Sequence, residues 1–346
     1  MIYPKQIEDF LGIPVYLVGG SVRDFLLDKT PKDYDFSTPC SPDEVELAIK
    51  NCGRRAYILG KKFGTIGFKF PTETGNEMIE ITTFRSEAYQ SESRKPEVAF
   101  TKNFEADMSR RDFTINAMSI KPDGKIWDSF GGREDLVNKT IKAVGHPKTR
   151  FKDDPLRILR AIRFATILNF HIEEKTFEYI CKMKFHLLEI SKERWVMELD
   201  KILGSDNVVV GLDLLMDSGV LGIIIPELTL QKNYQQNTPY HDFTLWEHTK
   251  RVVNNVPASQ LDLRWTALLH DIAKPFTRTE NKNGNSNYIN HDILGAEMTS
   301  KLCNHLKFSK TRTEYIVENI RHHLEHGSDL KIYDDGGKKI TSPQID

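Results

Sequence analysis

The apolar run Val15-Tyr16-Leu17-Val18 passes directly into Gly19-Gly20-Ser21 and then into a helical stretch, SVRDFLLD. This junction constrains the chain more than any other segment. A strand that enters a helix through two glycines presents backbone N–H groups with no side chain in the way, so they can approach a triphosphate, and the helix start adds a favourable dipole. Gly19, Gly20 and Ser21 are therefore candidate phosphate-binding residues, and Arg23, in the first turn, is a further phosphate ligand. A Gly-Gly taken alone is more often a plain turn.

The next segment, KDYDFST, supplies carboxylates. On an extended strand Asp33 and Asp35 point to one face, while Tyr34 and Phe36 point to the other. Two aligned carboxylates repel each other unless a cation lies between them, and hard, oxygen-loving Mg²⁺ suits such a pair. Two such ions can activate an attacking hydroxyl and stabilise the leaving oxygen of an in-line phosphoryl displacement. In EMIEITTFR, Glu80 alternates with Ile79 and Ile81, so it can face a polar site while its neighbours enter the core. Asp33, Asp35 and Glu80 are the candidate catalytic set, with Asp33 and Asp35 as the Mg²⁺ ligands. A D-x-D by itself is more often a solvated turn or cap. What points to chemistry is the order: apolar strand, Gly-Gly-Ser, helix, D-x-D, then a further strand carrying Glu.

Residues 1 to about 140 read as mixed α/β, with strand-like runs at 33–37, 65–70 and 77–84 and a helical pattern at 42–51. From about 150 the apolar spacing becomes helical, as in PLRILRAIRFATIL and ERWVMELDKIL. The expected division is an α/β head over 1–145, a helical neck and body over 146–235, an all-α His/Asp-rich domain over 236–330 and a polar tail over 331–346. The formal net charge of −1 excludes a uniformly basic binder but leaves room for a local basic groove. The four cysteines (Cys40, Cys52, Cys181, Cys303) form no CxxC pair, and no run approaches the roughly 20 apolar residues of a membrane span. With no signal-peptide pattern at MIYPKQIEDF, a reduced cytoplasmic protein that does not engage a membrane is expected. Oligomeric state is not encoded in any pattern.

LVGGSVRDFLLDKTPKDYDFST resembles the signature of the class II tRNA nucleotidyltransferase/poly(A) polymerase family of the polymerase-β superfamily, which includes bacterial CCA-adding enzymes. The resemblance continues through GKKFGTIGF, RRDFTINAM, WDSFGGREDL, DDPLRILRAIRFA and SKERWVMELDKIL, in the family's order and spacing, over about residues 10–205. It implies a polymerase-β-like nucleotidyltransferase head, CTP and ATP as substrates and tRNA as acceptor. It also implies that RRDFTINAM helps hold the incoming nucleotide, with Asp112 and Asn116 near the ribose and Arg110 and Arg111 near phosphate or base. The chemistry agrees, since Asp and Asn can bond ribose hydroxyls and adjacent arginines suit phosphate.

In DDPLR, Pro155 suits a first helical position, which puts Asp153 and Asp154 at a helix start and Arg157 within the first turn. The plain reading is an N-cap with an Asp–Arg pair. The functional reading is a protein template. Cytosine and adenine present an exocyclic amine donor beside a ring-nitrogen acceptor, whereas uracil and guanine present the reverse. Asp154 with Arg157 would then accept C or A, and Arg160 and Arg163 lie on the same stretch as candidates for nucleotide or RNA-backbone contact. The family block usually begins with Glu where this chain has Asp153. WDSFGGREDL resembles a hinge-like element built on Asp128 and Gly131-Gly132. The polar stretch SEAYQSESRKPEVAFTKNFEADMSR is expected as a long loop, which in this family is associated with adding the final A.

After residue 240, His248, His270-Asp271, His291 and His322-His323 fall at helix-compatible positions. An apolar-flanked HD dipeptide with outlying histidines suits a metal cluster, and the segment resembles an HD-type domain, many of which hydrolyse phosphoesters with a divalent metal. His248, His270 and Asp271 are the candidate ligands of this additional metal, and Lys274 can neutralise a phosphate. The usual distal Asp is not clearly placed, since Asp329, Asp334 and Asp335 lie in the polar tail. The expected activity is addition of CMP, CMP and AMP to tRNA 3′ ends with release of pyrophosphate. CC-only addition, A-only addition, poly(A) synthesis and metal-dependent phosphohydrolysis by the HD segment are the alternatives.

Overall fold

In β2 (Tyr34–Thr38) the pattern of one exposed residue between buried neighbours turns Tyr34 and Phe36 into the core and Asp35 to solvent. The computed structural model describes residues 2–324 except 32, 74, 89–96, 238–242 and 283. The chain divides into two compact units, Met1–Asp153 and Asp154–Asp346.

The first unit is built on a six-stranded sheet. Its strands are β1 (Tyr16–Val18), β2, β3 (Thr65–Thr72), β4 (Gly75–Thr83), β7 (Ser119–Ile120) and β8 (Ile126–Trp127), in the order β3-β4-β2-β1-β7-β8. Only β2 and β4 pair in parallel, placing Asp35 opposite Glu80; the other pairings are antiparallel. Ile79 and Ile81 are fully buried on either side of exposed Glu80, as alternation requires. Helix α1 (Pro4–Leu11) packs Phe10 against Phe68 and Phe70 of β3, with ring centroids 6.3 and 5.3 Å apart. Helix α2 (Gly20–Leu26) leaves β1 through Gly19. Helix α3 (Pro42–Asn51) starts at a capping box, in which Ser41 Oγ accepts from the Glu44 amide at 3.3 Å and Glu44 accepts from the Ser41 amide at 2.7 Å.

The polar stretch expected as a loop carries more structure than its composition suggests. β5 (Arg85–Ala88) pairs antiparallel with β6 (Glu97–Phe100), and helix α4 (Phe104–Ser109) follows. Residues 89–96 lie outside the described residues. Short helices α5 (Gly132–Val137) and α6 (Pro147–Asp153) close the unit.

Among the described residues the second unit is helical apart from a two-residue strand, His171–Ile172, and a two-residue β pair, Thr279–Glu280 with Ser286–Asn287. Its main helices are α7 (Arg157–Leu168), α8 (Glu174–Met183), α9 (Lys192–Leu203), α10 (Val208–Asp217), α11 (Leu221–Ile224), α12 (Leu245–Asn255), α13 (Leu261–Leu269), α14 (Lys274–Thr277), α15 (His291–His305) and α16 (Lys310–Arg321). Fully buried Trp195 and Trp265 anchor α9 and α13. Arg312 of α16 clamps two other helices, bonding both carboxylate oxygens of Asp200 at 2.9 and 3.0 Å and Asp262 at 2.6 Å. The expected polar tail, 331–346, and Asp329, Asp334 and Asp335 lie outside the described residues. No described helix is long and apolar enough to cross a membrane.

Candidate functional site

Ser21 explains why the D-x-D segment is held where it is. Its buried hydroxyl donates to the Asp33 carbonyl at 2.9 Å and accepts from the Asp35 amide at 3.2 Å. The hydroxyl is thus committed to the backbone that presents the two carboxylates. Asp33 sits just before β2 rather than within it, and both aspartates are exposed. Loss of surrounding water, then the charges of Glu80 and Asp33, raise the Asp35 pKa, while Arg111 acts in the opposite sense. Asp35 keeps much of its solvent exposure, so the weight of this shift rests on the three converging carboxylates rather than on burial. A cluster of like-charged hard oxygens is what a divalent cation relieves.

Gly19 and Arg111 occupy neighbouring space. Gly19 has φ 70° and ψ −135°, and a Cβ there would lie 2.9 Å from Arg111 Nη1. The guanidinium reaches the Asn116 carbonyl and Ser37 Oγ, each at 3.4 Å, and lies 3.7 Å from Asp107. Arg110 is bound to Asp107 at 2.7 Å and to the Arg85 carbonyl at 3.1 Å.

A chain of polar contacts links α2 to RRDFTINAM. Arg23 Nη1 donates to Asn116 Oδ1 at 2.8 Å, and Asn116 Nδ2 donates to Asp112 Oδ1 at 3.2 Å. Arg23 also pairs with Asp24 at 2.7 Å. Asp112 and Asn116 are buried. The structure therefore brings Gly19, Gly20, Ser21, Arg23, Asp33, Asp35, Glu80, Arg111, Asp112 and Asn116 into one connected region of the first unit. Asp128 accepts from the Gly132 and Arg133 amides at 2.8 Å each, capping α5. A Cβ on Gly132 would clash with the Thr114 carbonyl at 2.3 Å, so this glycine serves close packing.

DDPLR departs from its expected helix start. Asp153 ends α6, Asp154 to Leu156 form a turn, and α7 begins at Arg157. Asp154 Oδ1 accepts from the Leu156 amide at 3.1 Å, and Oδ2 accepts from Arg194 of α9 at 3.0 Å. The guanidinium found on Asp154 is thus Arg194, while Arg157 is buried and Arg160 lies 5.4 Å from the Phe164 ring centroid. Arg163, also buried, pairs with Glu198 at 2.7 Å.

The histidines form a second cluster. Asp271 Oδ2 lies 3.1 Å from His270 Nε2, 3.4 Å from His248 Nε2 and 3.2 Å from Lys274 Nζ. Its Oδ1 lies 3.4 Å from His291 Nε2 and 4.0 Å from His323 Nε2. All six side chains are buried. His270, His291 and His323 each place Nδ1 on the carbonyl three residues back, at 2.8, 2.6 and 2.6 Å. An N–H on Nδ1 leaves the Nε2 lone pair facing inward. His291 and His323 bring their Nε2 atoms to 3.2 Å from each other. That arrangement fits a cation. Burial alone would raise the Asp271 pKa, but His270 and Lys274 hold it well below the usual carboxylate range. Burial and the neighbouring His270 push His323 down to about 3, so its ring is neutral. Asp271 is common to two ligand groups, His248–His270–Asp271 and Asp271–His291–His323.

Residues 15–142 match the family model described as "Poly A polymerase head domain". Residues 15–142 are a poly A polymerase head domain. Behind this poly A polymerase head, residues 169–231 match "Probable RNA and SrmB- binding site of polymerase A" and residues 241–339 match "HD domain". The chain is 42% identical over 193 residues to the CCA-adding enzyme of Bacillus subtilis (strain 168), covering 56% of this chain and 47% of the relative. It is 35% identical over 262 residues to that of Bacillus velezensis (strain DSM 23117 / BGSC 10A6 / LMG 26770 / FZB42), covering 75% and 60%. These matches span about half to three-fifths of the curated relatives' length. Among solved structures, the chain is similar to the Bacillus stearothermophilus CCA-adding enzyme in complex with CTP, with TM-score 0.60 and 26% identity over 94% of this chain and 79% of that one. It is also similar to a tRNA nucleotidyltransferase complexed with a primer tRNA and an incoming ATP analog, with TM-score 0.63 and 25% identity over 94% and 85%.

Two supports of the candidate sites escape a reading by motif. Asp107 is fully buried, accepts from Ser37 Oγ at 3.4 Å and from the Arg85 amide at 3.2 Å, and holds Arg110. Its spacing of three and four from Arg110 and Arg111 is the one available signal. The other is the pair His291 and His323, noticed as outlying histidines but not assigned as ligands.

Proposed function

We propose that this chain extends the 3′ ends of tRNA without a nucleic-acid template, adding CMP, CMP and AMP from CTP and ATP and releasing pyrophosphate. The single observation that carries the reading is the parallel register of Asp35 and Glu80 with Asp33 beside them, immediately next to the Gly19–Arg111 contact. Asp33, Asp35 and Glu80 would hold divalent ions, with Mg²⁺ the ion that carboxylate oxygens favour. When bound, such ions supply charge neutralisation for the developing charge on the attacking and leaving oxygens. The chain's own part is to hold and select. Gly19 and Gly20 offer unobstructed backbone, Arg23 and Arg111 supply positive charge for the triphosphate, and Asp112 and Asn116 offer acceptors and a donor to ribose hydroxyls. Asp154 and Arg157 read the base edge of C or A, with Arg160 on the same helix. The terminal 3′-hydroxyl of the tRNA attacks the α-phosphorus, and the bond to the β,γ-pyrophosphate breaks. Acting on tRNA, the chain would work in the cytoplasm, where that substrate is.

The test supplies purified protein and Mg²⁺ with tRNA lacking its last three nucleotides, offers each labelled triphosphate singly and together, and reads product lengths. Addition of C, C and A is expected. No incorporation at all would sink the reading, and CC only, A only or long A tails would replace it with the matching specialist.

A second reading is favoured by the buried His/Asp cluster: a metal-dependent phosphoester hydrolase in the HD part. His248, His270, His291, His323 and Asp271 would hold the metal, and Lys274 would face the phosphate. His270→Ala with Asp271→Ala would abolish hydrolysis of a cyclic phosphate and spare addition, while Asp33→Ala with Asp35→Ala would do the reverse.

A further inference from the structure

Base selection in the second unit is tied to a residue outside DDPLR. The Asp154 carboxylate meets the chain through two contacts, the Leu156 amide on Oδ1 at 3.1 Å and Arg194 Nη2 on Oδ2 at 3.0 Å. An ionised carboxylate offers about four lone-pair sites, so these contacts leave room for an exocyclic amine. They also fix the carboxylate plane, a torsion that is otherwise broad for aspartate. Arg194 is itself held in place. It is followed by fully buried Trp195, whose Nε1 donates to the Leu187 carbonyl at 3.1 Å. One turn on, Glu198 of α9 pairs with Arg163 of α7 at 2.7 Å, locking the two helices. The two ion pairs run along one face of α9, one gripping α7 and one gripping the turn before it. The Arg194 side chain remains 46% exposed and that of Asp154 30%, so the pair stays within reach of a ligand.

The geometry points to Arg194 as a positioning residue for nucleotide selection, orienting Asp154 so that it accepts from an exocyclic amine and rejects a ring N–H. This rests on the reading of Asp154 as part of a protein template. Uracil presents a ring N–H where cytosine presents an acceptor. A carboxylate released from Arg194 can turn to accept that N–H, so selection loosens in one direction.

The experiment measures steady-state addition to tRNA lacking its last three nucleotides, with CTP, ATP, UTP and GTP separately, for the full chain and for Arg194→Ala, Arg194→Lys and Asp154→Ala. Arg194→Ala is expected to raise KM for CTP about tenfold with little change in kcat, and to raise UTP use relative to CTP about tenfold, the effect of one charged hydrogen bond. Arg194→Lys, which keeps the charge without the planar fork, is expected to restore part of KM but not the discrimination. Unchanged KM and UTP:CTP ratio in Arg194→Ala would overturn the assignment. So would an equal fall in kcat for all four triphosphates accompanied by a lower Tm, which marks a scaffold role alone. Should Arg194→Ala fail to fold, Arg194→Lys carries the same comparison, and discrimination equal to the natural chain's would overturn the assignment. Asp154→Ala separates the two levels. If it leaves selection intact the template reading itself falls, whereas relaxed selection in Asp154→Ala beside normal selection in Arg194→Ala removes only the role of Arg194.

Discussion

Asp35 stands directly across the parallel β2–β4 pairing from Glu80. With Asp33 beside it, the like charges raise the Asp35 pKa after loss of surrounding water has contributed, and the ionised site is strained without a cation. A carboxyl whose folded pKa lies above its unfolded value binds more protons folded than unfolded within that window. Stability therefore falls as pH rises through it, and the deficit persists at neutral pH. Asp35→Asn is expected to raise the Tm of chelator-treated protein at pH 7.5 by about 2 °C, while abolishing nucleotide addition. Added Mg²⁺ should raise the Tm of the natural chain more than that of the variant. Differential scanning fluorimetry with and without Mg²⁺ checks both, and a lower Tm for the variant in chelator would count against the repulsion.

Asp107 is a buried anion that fixes Arg110 and steadies Arg111. Removing one partner of a buried pair leaves the other charge uncompensated, at a cost of about 3 kcal/mol. Asp107→Ala is expected to lower stability by that amount in urea unfolding and to raise KM for both CTP and ATP, because Arg111 loses its support. Asp107→Asn should recover part of the stability. A loss under about 0.5 kcal/mol would show the pair to be dispensable, as surface substitutions are.

Gly19 and Gly20 predict unequal outcomes from the same change. Gly19 sits at φ 70° with Arg111 Nη1 2.9 Å from a Cβ, whereas Gly20 meets only the Arg23 side-chain end at 3.4 Å. Gly19→Ala is expected to cost about 1–3 kcal/mol through backbone strain and to weaken CTP binding by displacing Arg111. Gly20→Ala, inside α2, should be near neutral or slightly stabilising. Paired thermal melts and CTP titrations decide it, and equal effects would remove the conformational argument.

The parts of this architecture that are local in sequence were legible there. Asp35 and Glu80 sit on strands whose alternation fixes which side chains face out, and Gly19-Gly20 and Asp33 lie at strand ends, so their convergence follows from period and order. The α3 boundary follows from Ser41 and Glu44. Pro155 misled because a proline also suits a turn, and the Asp154 side chain caps that turn at Leu156 instead of opening a helix. Polar composition hid the β5–β6 pair, since strand pairing at an edge needs no apolar face. Asp107 and Arg194 were out of reach for another reason. Their partners Ser37 and Asp154 lie 70 and 40 residues away, and no local pattern encodes such a contact.

The histidine cluster carries the last prediction. With Nδ1 of His270, His291 and His323 committed to carbonyls, the inward Nε2 atoms are lone-pair donors, and Asp271 is shared by both ligand groups. Chelator-treated protein equilibrated with Mn²⁺, Co²⁺, Ni²⁺ or Zn²⁺, which imidazole suits, is expected to retain two ions per chain at this cluster after gel filtration. Asp33→Ala with Asp35→Ala removes the head's contribution to the count. Against that background His323→Ala should retain one and Asp271→Ala none, read by elemental analysis. The same residues set a pH dependence. His323 is held neutral with a pKa of about 3, below its unfolded value of 6.5, so below pH 6.5 the unfolded chain takes up a proton that the folded chain refuses. Metal-free protein should therefore lose stability steadily as pH falls from 6.5 toward 4. The depressed Asp271 carboxyl contributes only below its ordinary 3.8, outside that range. His323→Gln should flatten the slope in urea unfolding between pH 6.5 and 4.5. Bound metal should shift the loss to lower pH, because protons must displace it before the rings can charge. A slope unchanged by His323→Gln would mean that other groups govern acid unfolding.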